Sequence, residues 1–244
     1  MIRKRQLTWL VLLLWLHGTA DRCAASTNAP ALHETFDTIE NWKPLTFPKI
    51  DRHSQYDIVE QGTNRVLKAS SSASASGIVL TSAFDIVQNS VLQWRWNVDH
   101  VLEKGDASTK SGDDYPLRIY VMFAYDPATS DFGLTRRAQY ALARKLYGEY
   151  PPHSAISYIW ANKDHRDDIV PNAYSDRAMM IIKQSGATRT GTWISETVNI
   201  REDYQRAFGR SPPAMASIAI MADTDNTGEE SVAYLDDLML GPAP

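Results

Sequence analysis

The sequence predicts an all-β protein, an antiparallel β-sandwich of the jelly-roll type with one inserted helix. Three observations favour this fold class: ten short apolar or alternating segments, turn residues between them, and few helix-forming stretches. The chain has 244 residues, of which 43% are hydrophobic and 22% are charged, as is typical of globular proteins. A chain of this length is long enough to build one domain around a sizeable core.

The amino-terminal segment has the pattern of a secretory signal peptide. Arg3, Lys4 and Arg5 precede an apolar stretch at residues 7–16, which is shorter than the ~20 residues that a membrane span needs. Small residues near Ala25 predict cleavage after it, giving a signal peptide at residues 1–25, a polar leader at 26–33 and one sandwich domain at 34–244. We therefore expect a periplasmic or secreted protein without a membrane span after cleavage. A lipid anchor on Cys23 is the alternative, but the charged residues at 21–22 are atypical of a lipobox.

Cleavage would also change the charge and the cysteine content. It removes the single cysteine, so no disulfide and no thiol nucleophile is expected in the mature chain. It removes four basic residues and one acidic residue, which shifts the formal net charge from −4 to −7. A mildly acidic exported protein is a poor candidate for nucleic-acid binding.

The predicted elements follow from local periodicity. Strands are expected at residues 56–60, 65–69, 77–82, 91–99, 117–125, 155–161, 178–184, 192–200, 216–222 and 233–240. The serine-rich run at 70–77 reads as a flexible turn. Within an insertion at 131–150, a helix is expected over 134–147, and a short helix over 202–208 is ended by Gly209.

Two strands carry arginines on the face opposite their apolar residues. In the strand at 91–99, Trp94 and Trp96 share the apolar face and Arg95 points the other way. In the strand at 117–125, Arg118 and Tyr120 share the polar face. If these strands pair, both arginines lie on one surface, which is either a ligand-binding face or an ordinary solvent-facing sheet.

Glu196 interrupts an apolar alternation and is therefore a candidate functional carboxylate. A buried carboxylate needs a cation or becomes protonated, and Arg95 or Arg118 is the expected partner. Asp114 precedes the strand at 117–125. Glu196 and Asp114 are the candidate catalytic pair for glycan cleavage, which needs two carboxyl groups ~5–9 Å apart. A structural ion pair is the alternative for Glu196.

Two groups of oxygen-bearing side chains are candidate calcium sites. Asp223, Asp225 and Thr227 stand before Gly228 in the order of a calcium-binding loop, but the twelfth position is Tyr234, so this is no EF-hand. A hairpin turn in which Gly228 supplies a positive φ explains the same residues. The second group lies near the two ends of the domain and comprises Glu34, Asp37 and Asp236.

Tyr158 and Trp160 share one face of their strand. Exposed, they would stack on sugar rings; buried, they belong to the core. The sequence contains no G-x-S-x-G elbow, no P-loop and no dinucleotide-binding fingerprint.

Several motifs together resemble an uncharacterised family of exported bacterial proteins, domain of unknown function 3047. They are GDDYPLRIYV at 112–121, YIW at 158–160, WISE at 193–196, DY at 203–204, FG at 208–209 and MADTDNTG at 221–228. Ala222 stands where the family signature has Thr. The resemblance covers most of the mature chain and implies no established activity. The overall pattern also resembles galactose-binding-like jelly rolls, the fold of many carbohydrate-binding modules.

The leading expectation is an exported, non-catalytic binding protein for a glycan or another small cell-envelope ligand. The candidate ligand-binding residues are Arg95, Asp114, Arg118, Tyr120, Tyr158, Trp160 and Glu196. The alternatives are a glycan-cleaving enzyme that uses Glu196 and Asp114, and a structural protein of the envelope. Ca²⁺ is the one candidate cofactor.

Overall fold

The computed structural model describes residues 30–147 and 150–243. The predicted signal peptide and most of the leader lie outside the described residues. No described helix is both long and apolar enough to cross a membrane.

Fourteen strands form two sheets. Their bounds are β1 Leu32–Glu34, β2 Trp42–Leu45, β3 Gln55–Gln61, β4 Asn64–Ser72, β5 Ala75–Leu80, β6 Phe84–Asp85, β7 Val91–Val98, β8 Tyr115–Phe123, β9 Ser154–Ala161, β10 Ile169–Pro171, β11 Ala178–Ser185, β12 Ile194–Asn199, β13 Met215–Asp223 and β14 Glu230–Gly241. The six-stranded sheet has the order β12–β7–β14–β4–β3, and β1 pairs with the end of β14. The eight-stranded sheet has the order β10–β11–β9–β8–β13–β5–β2, and β6 pairs with the start of β13.

The core lies between the two sheets and is rich in aromatic rings. Trp94 packs on Tyr158 and Trp96 packs on Trp160, with ring centroids 5.3 and 5.8 Å apart. All four side chains are buried, because alternate residues of β7 and β9 face the interior. The predicted β-sandwich is confirmed, and its pairs are antiparallel except for the parallel pair β9–β11.

All ten predicted strands are present with shifted ends. The strands that the sequence did not indicate are β1, β2, β6 and β10, which have two to four residues and are too short to show a period. The prediction of a flexible turn at 70–77 is wrong, because β4 extends to Ser72 and β5 begins at Ala75. Ser71 and Ser74 are buried there, and the Ser71 hydroxyl lies 2.8 Å from Thr224 Oγ1.

Both predicted helices are present, as α1 Leu134–Tyr147 and α2 Ile200–Phe208. The Asn199 side chain caps the start of α2 by accepting the backbone N–H groups of residues 201 and 202. Gly209 ends α2 in the left-handed region at φ 69°, as expected. Leu134 and Leu142 of α1 are exposed, and Tyr140 anchors the helix by packing on Tyr125 at 4.6 Å between ring centroids.

Candidate functional site

The expected surface shared by Arg95 and Arg118 does not form. Arg95 lies on β7, whose neighbours are β12 and β14 in the six-stranded sheet. Arg118 lies on β8, whose neighbours are β9 and β13 in the eight-stranded sheet. Each arginine points away from the core, so the two lie on opposite outer faces of the sandwich. Each gathers its own carboxylates and aromatic rings, which gives two separate clusters.

The Arg118 cluster consists of Arg118, Asp113, Asp114, Asp223 and Asp225. Asp113 and Asp114 directly precede β8, and Asp223 is the last residue of β13. A register shift between Met221 and Asp223 places Asp223 opposite the first residue of β8. The loop that joins β13 to β14 therefore lies against the segment that enters β8.

Arg118 is almost enclosed by this cluster, with 5% of its side chain exposed. It donates to Asp223, and its Nη1 lies 3.5 Å from Asp113 Oδ1. The guanidinium also lies 4.9 Å from the centroid of the Tyr115 ring and 5.3 Å from that of Tyr120. Its Nε and Nη1 have no hydrogen-bond partner in the described part of the chain.

Asp114 anchors the loop at residues 223–228. Its carboxylate accepts the side-chain N–H of Asn226 at 2.8 Å and the backbone N–H of Thr227 at 2.7 Å. The Thr227 hydroxyl donates a hydrogen bond to the Thr224 carbonyl at 3.5 Å, within the same loop. Gly228 has φ 72°, as the hairpin-turn interpretation predicted.

The first candidate calcium group is only partly assembled as the sequence suggested. One carboxylate oxygen from each of Asp114, Asp223 and Asp225 lies within 4.8 Å of the others. Thr227 contributes a backbone N–H to Asp114 instead of taking part through its hydroxyl oxygen. Asp114, which the sequence placed in the ligand-binding and catalytic sets, therefore joins this group through the fold.

Negative charge accumulates in the Arg118 cluster, where four carboxylates face one guanidinium. Burial raises the pKa of Asp113 and of Asp223, against the lowering effect of Arg118. Burial and the nearby Asp114 raise the pKa of Asp225. Burial also raises the pKa of Tyr120, to about 12. The cluster thus favours an added positive charge or an added proton.

The Arg95 cluster consists of Arg95, Trp193, Tyr234, Asp236 and Asp237. Arg95 donates to Asp236, and its Nε lies 2.8 Å from Asp237 Oδ2. The guanidinium lies 4.8 Å from the centroid of the Trp193 ring, which is 6.5 Å from that of Tyr234. The side chains of Arg95 and Asp237 are 27% and 49% exposed. This cluster is therefore open to solvent.

An irregularity in β14 brings both carboxylates to Arg95. In a regular strand, successive side chains point to opposite faces, so Asp236 and Asp237 would diverge. The register with β7 shifts between Asp236 and Met239, and Asp237 has φ 49° in the left-handed region. Sequence reasoning missed Trp193, Tyr234 and Asp237 as site residues; the one available signal was the acidic pair within a predicted strand.

Glu196 has other partners than the sequence suggested. It accepts from Gln184 Nε2 at 2.6 Å and lies 3.7 Å from Lys183 Nζ, both on β11. The expectation of an ion pair with Arg95 or Arg118 is therefore wrong. Asp114 bonds to the loop at 223–228, and no described residue makes a hydrogen bond to both Glu196 and Asp114. Glu196 and Asp114 therefore make their hydrogen bonds to two different segments, β11 and the loop at 223–228.

Tyr158 and Trp160 are core residues with no exposed surface. The Tyr158 hydroxyl donates to Asp203 at 3.1 Å, and the Trp160 ring N–H donates to the Gly186 carbonyl at 3.0 Å. Both polar atoms are thus satisfied inside the protein. Neither ring is available to stack on a ligand from solvent, which corrects their assignment as ligand-binding residues.

The second candidate calcium group does not converge. The terminal strands β1 and β14 do pair, as expected. However, Glu34 accepts from Asn41 and Trp42, while Asp37 accepts from Thr35 and Asp236 pairs with Arg95. Among the described residues, the three acidic side chains that converge are Asp114, Asp223 and Asp225.

A chain of Asp131, His153 and Ser154, in which the serine and histidine are buried and the aspartate is exposed, is a further feature that the sequence did not indicate. His153 lies 3.4 Å from Asp131 and 3.0 Å from the Ser154 hydroxyl. The Ser154 hydroxyl is buried and lies 2.9 Å from the Tyr204 hydroxyl. Burial and the nearby Arg177 lower the pKa of His153. Because the serine has no access to solvent, this chain is a polar link within the fold rather than a nucleophile.

The fold and its two clusters define a β-sandwich protein that carries one closed and one open arginine–carboxylate cluster. The chain belongs to the family described as "Protein of unknown function (DUF3047)", whose model matches residues 40–239. That range contains both clusters, which confirms the resemblance seen in the sequence motifs. No curated protein matches this chain.

Solved structures show distant likenesses. The galactose complex of lectin UEA-II has a TM-score of 0.43 at 11% identity, over 87% of this chain and 99% of that one. The K3 cleaved adhesin domain of Lys-gingipain from Porphyromonas gingivalis has a TM-score of 0.40 at 14% identity, over 87% and 98%. The enzymatically active domain of bacteriophage CBA120 tailspike protein 4 has a TM-score of 0.36 at 10% identity, over 86% of this chain but 20% of that one. Likeness at this level says nothing about a ligand or an activity.

Proposed function

We propose that this protein is an exported, non-catalytic binding protein for a glycan or another hydroxyl-rich ligand of the cell envelope. The ligand binds on the outer face of the six-stranded sheet, at the Arg95 cluster. The observation that carries this proposal is the meeting of a guanidinium, a partly exposed carboxylate and an indole ring on one solvent-accessible surface.

These groups have the chemistry that sugar recognition needs. An aromatic ring such as Trp193 packs against the C–H face of a sugar ring. The Asp237 carboxylate accepts hydrogen bonds from hydroxyl groups, and Arg95 donates them. The side chains of Arg95 and Asp237 are 27% and 49% exposed, so their donors and acceptors are the ones that a ligand on this surface can reach.

The binding proposal is tested by isothermal titration calorimetry against a panel of envelope glycans. We expect heat of binding with at least one glycan, its loss in Trp193→Ala, and its retention in Trp193→Phe, which keeps an aromatic surface. Asp237→Asn should weaken binding, and Asn tolerates the left-handed backbone at this position. Asp167→Asn, at an exposed site outside both clusters, is the matched control. Heat that is unchanged in Trp193→Ala, or no heat with any glycan, would rule out this site.

The location of the protein is a second part of the proposal. We expect residues 1–25 to direct export and to be removed after Ala25. Amino-terminal sequencing of the protein purified from a periplasmic fraction should then begin at Ser26. A chain that retains Met1, or one that carries a lipid on Cys23, would contradict this expectation.

A further inference from the structure

We propose that the helix α1 binds the surface of an anionic lipid bilayer and lies flat on it, with its apolar side towards the acyl chains. Two observations together carry this inference: an apolar stripe on α1 is exposed to solvent, and the helix has four basic residues and no acidic one. The inference goes beyond glycan binding, because α1 contributes no residue to either arginine cluster.

The apolar side of α1 points away from the body of the protein. At 3.6 residues per turn, four apolar side chains fall within an arc of about 100°, and all four are exposed: Leu134, Ala138, Ala141 and Leu142. Leu134 and Leu142 are 87% and 55% exposed. A helix at the surface of a globular protein normally turns its leucines towards the core. In α1 they face solvent.

Contacts on the opposite side of α1 fix this orientation. Tyr140 packs on Phe132, with ring centroids 4.9 Å apart, in addition to its contact with Tyr125. The Tyr140 hydroxyl donates to the Pro152 carbonyl at 2.8 Å. Arg136, one turn earlier on the same side, is half-buried. A rotation that brought the leucines to the core would break these contacts.

The charge of α1 is opposite in sign to that of the whole chain. The chain has a formal net charge of −4, whereas the charged residues of α1 are all basic: Arg136, Arg137, Arg144 and Lys145. Within the described residues, Asp176 is the carboxylate that pairs with this helix, through Arg136 at 3.6 Å. Basic side chains next to an apolar stripe attract anionic lipid headgroups, while the leucines enter the boundary with the acyl chains. With 14 residues α1 is about 21 Å long, so it suits the surface rather than a span.

The charge of α1 also favours a lipid surface over a second copy of the chain. A single exposed leucine needs no explanation, but here two lie on one side of a helix with alanines between them. In a symmetric dimer that covered this stripe, each α1 would face the other, because a twofold interface uses the same surface of both copies. The four positive charges of each helix would then repel those of its partner. An anionic bilayer covers the same stripe and attracts these charges.

Co-sedimentation with lipid vesicles tests this inference on the protein purified from the periplasmic fraction. We expect binding to phosphatidylglycerol vesicles, which weakens as salt screens the charges, and little binding to phosphatidylcholine vesicles. Leu134→Ser/Leu142→Ser should lower the affinity for phosphatidylglycerol vesicles more than about tenfold, because less apolar surface is buried. Val87→Ser is the matched control, since Val87 is 62% exposed and lies outside α1; it should bind like the wild type.

A second pair of variants tests the charge of the helix. Arg144→Gln/Lys145→Gln removes two exposed basic groups and should also lower the affinity for phosphatidylglycerol vesicles more than about tenfold. Lys49→Gln/Arg166→Gln removes the same charge at exposed sites outside α1 and should lower it less. All variants share one amino terminus, so a difference between them reports on the substituted side chains.

Circular dichroism verifies that the variants are folded, and the comparison of the two lipids on the wild type does not depend on any variant. Equal binding of the wild type to both kinds of vesicle, or binding to neither, would overturn the inference. So would binding that is lost in Arg144→Gln/Lys145→Gln but unchanged in Leu134→Ser/Leu142→Ser, because the apolar stripe would then take no part. In sedimentation equilibrium, a wild-type dimer that dissociates in Leu134→Ser/Leu142→Ser would show that a second copy covers the stripe.

Discussion

The Arg118 and Arg95 clusters are built from the same parts and differ in their access to water. Each has one arginine, carboxylates that precede or follow a strand irregularity, and aromatic rings in contact with the guanidinium. The loop at 223–228 and the residues before β8 cover Arg118, whereas Arg95 lies on an open sheet face.

This difference in exposure gives the two clusters different physical properties. Transfer of a charge out of water is unfavourable, so a buried ion pair contributes little net stability. Removal of one partner is strongly destabilising, because it leaves the other charge buried and uncompensated. An exposed guanidinium exchanges its contacts with water and ligands more easily. We therefore expect the Arg118 cluster to hold the fold together and the Arg95 cluster to take part in recognition.

The largest expected effect is that of Arg118→Ala. It leaves Asp223 buried without its cation, which should reduce the free energy of unfolding by about 3–5 kcal/mol. Urea denaturation followed by circular dichroism measures this loss. The double variant Arg118→Met/Asp223→Leu replaces the pair by apolar side chains and should recover most of the stability. A loss of under ~1 kcal/mol in Arg118→Ala would show that the cluster is not structural.

Arg95→Ala should have a smaller effect on stability. The buried Asp236 loses its donor, but water reaches this face, so we expect a loss of about 1.5–3 kcal/mol. Arg95→Lys keeps the charge without the bidentate geometry and should lose less. The same urea titration provides the measurement. If Arg95→Ala costs as much as Arg118→Ala, the contrast between an open and a closed cluster fails.

Gly228→Ala tests the loop that covers Arg118. The backbone there has φ 72°, and a Cβ would meet no atom within 4 Å, so the effect is purely conformational. We expect a loss of about 1–2 kcal/mol in the free energy of unfolding. Gly133→Ala is the control, because a Cβ there also meets no atom and its φ lies outside the left-handed region. Equal stability of the two variants would mean that the loop relaxes without strain.

The smallest expected effect concerns the pH dependence of the Arg118 cluster. A carboxyl group with a raised pKa stabilises the fold below its unfolded value of ~4, and this contribution is lost as the pH rises through the folded value. Because the pKa of Asp225 is raised, Asp225→Asn should be slightly more stable than the wild type at neutral pH in a buffer without divalent cations. The difference should shrink towards acidic pH.

Urea titrations of both proteins across the acidic range measure this effect. Asp237→Asn at the Arg95 cluster loses an ion-pair partner and should not gain stability at neutral pH. If the wild type is more stable than Asp225→Asn in a buffer without divalent cations, the excess of negative charge inferred for the Arg118 cluster is contradicted.

Local patterns predicted much of this fold. Alternation of apolar and polar residues identified β7 and assigned Trp94 and Trp96 to the core, because a strand has a period of two wherever one face is buried. The positions of Gly209 and Gly228 predicted a helix end and a turn, since both rest on backbone preferences of a single residue. Strands of two to four residues were not predicted, because they contain too few positions to define a period.

The candidate sites depended on information that local patterns do not contain. Alternation places Arg95 and Arg118 on the polar faces of their own strands but does not tell which sheet each strand joins. The prediction that Glu196 needs polar partners was correct. Its partners are Gln184 and Lys183 on β11, and no residue spacing in the sequence indicates that β11 lies near Glu196. The register shift in β14 that turns both Asp236 and Asp237 towards Arg95 has no signal beyond an acidic pair.

The sequence by itself determined the β-sandwich class, the inward-facing aromatic residues, the helix and turn ends, and the motifs by which the family is recognised. Only the tertiary structure decided that the two arginines lie on opposite faces and that Asp114 meets Asp223 and Asp225. The physical reason is that strand order and register depend on contacts between segments far apart in the chain. Propensity and periodicity describe neighbours along the chain, and these sites are assembled from neighbours in space.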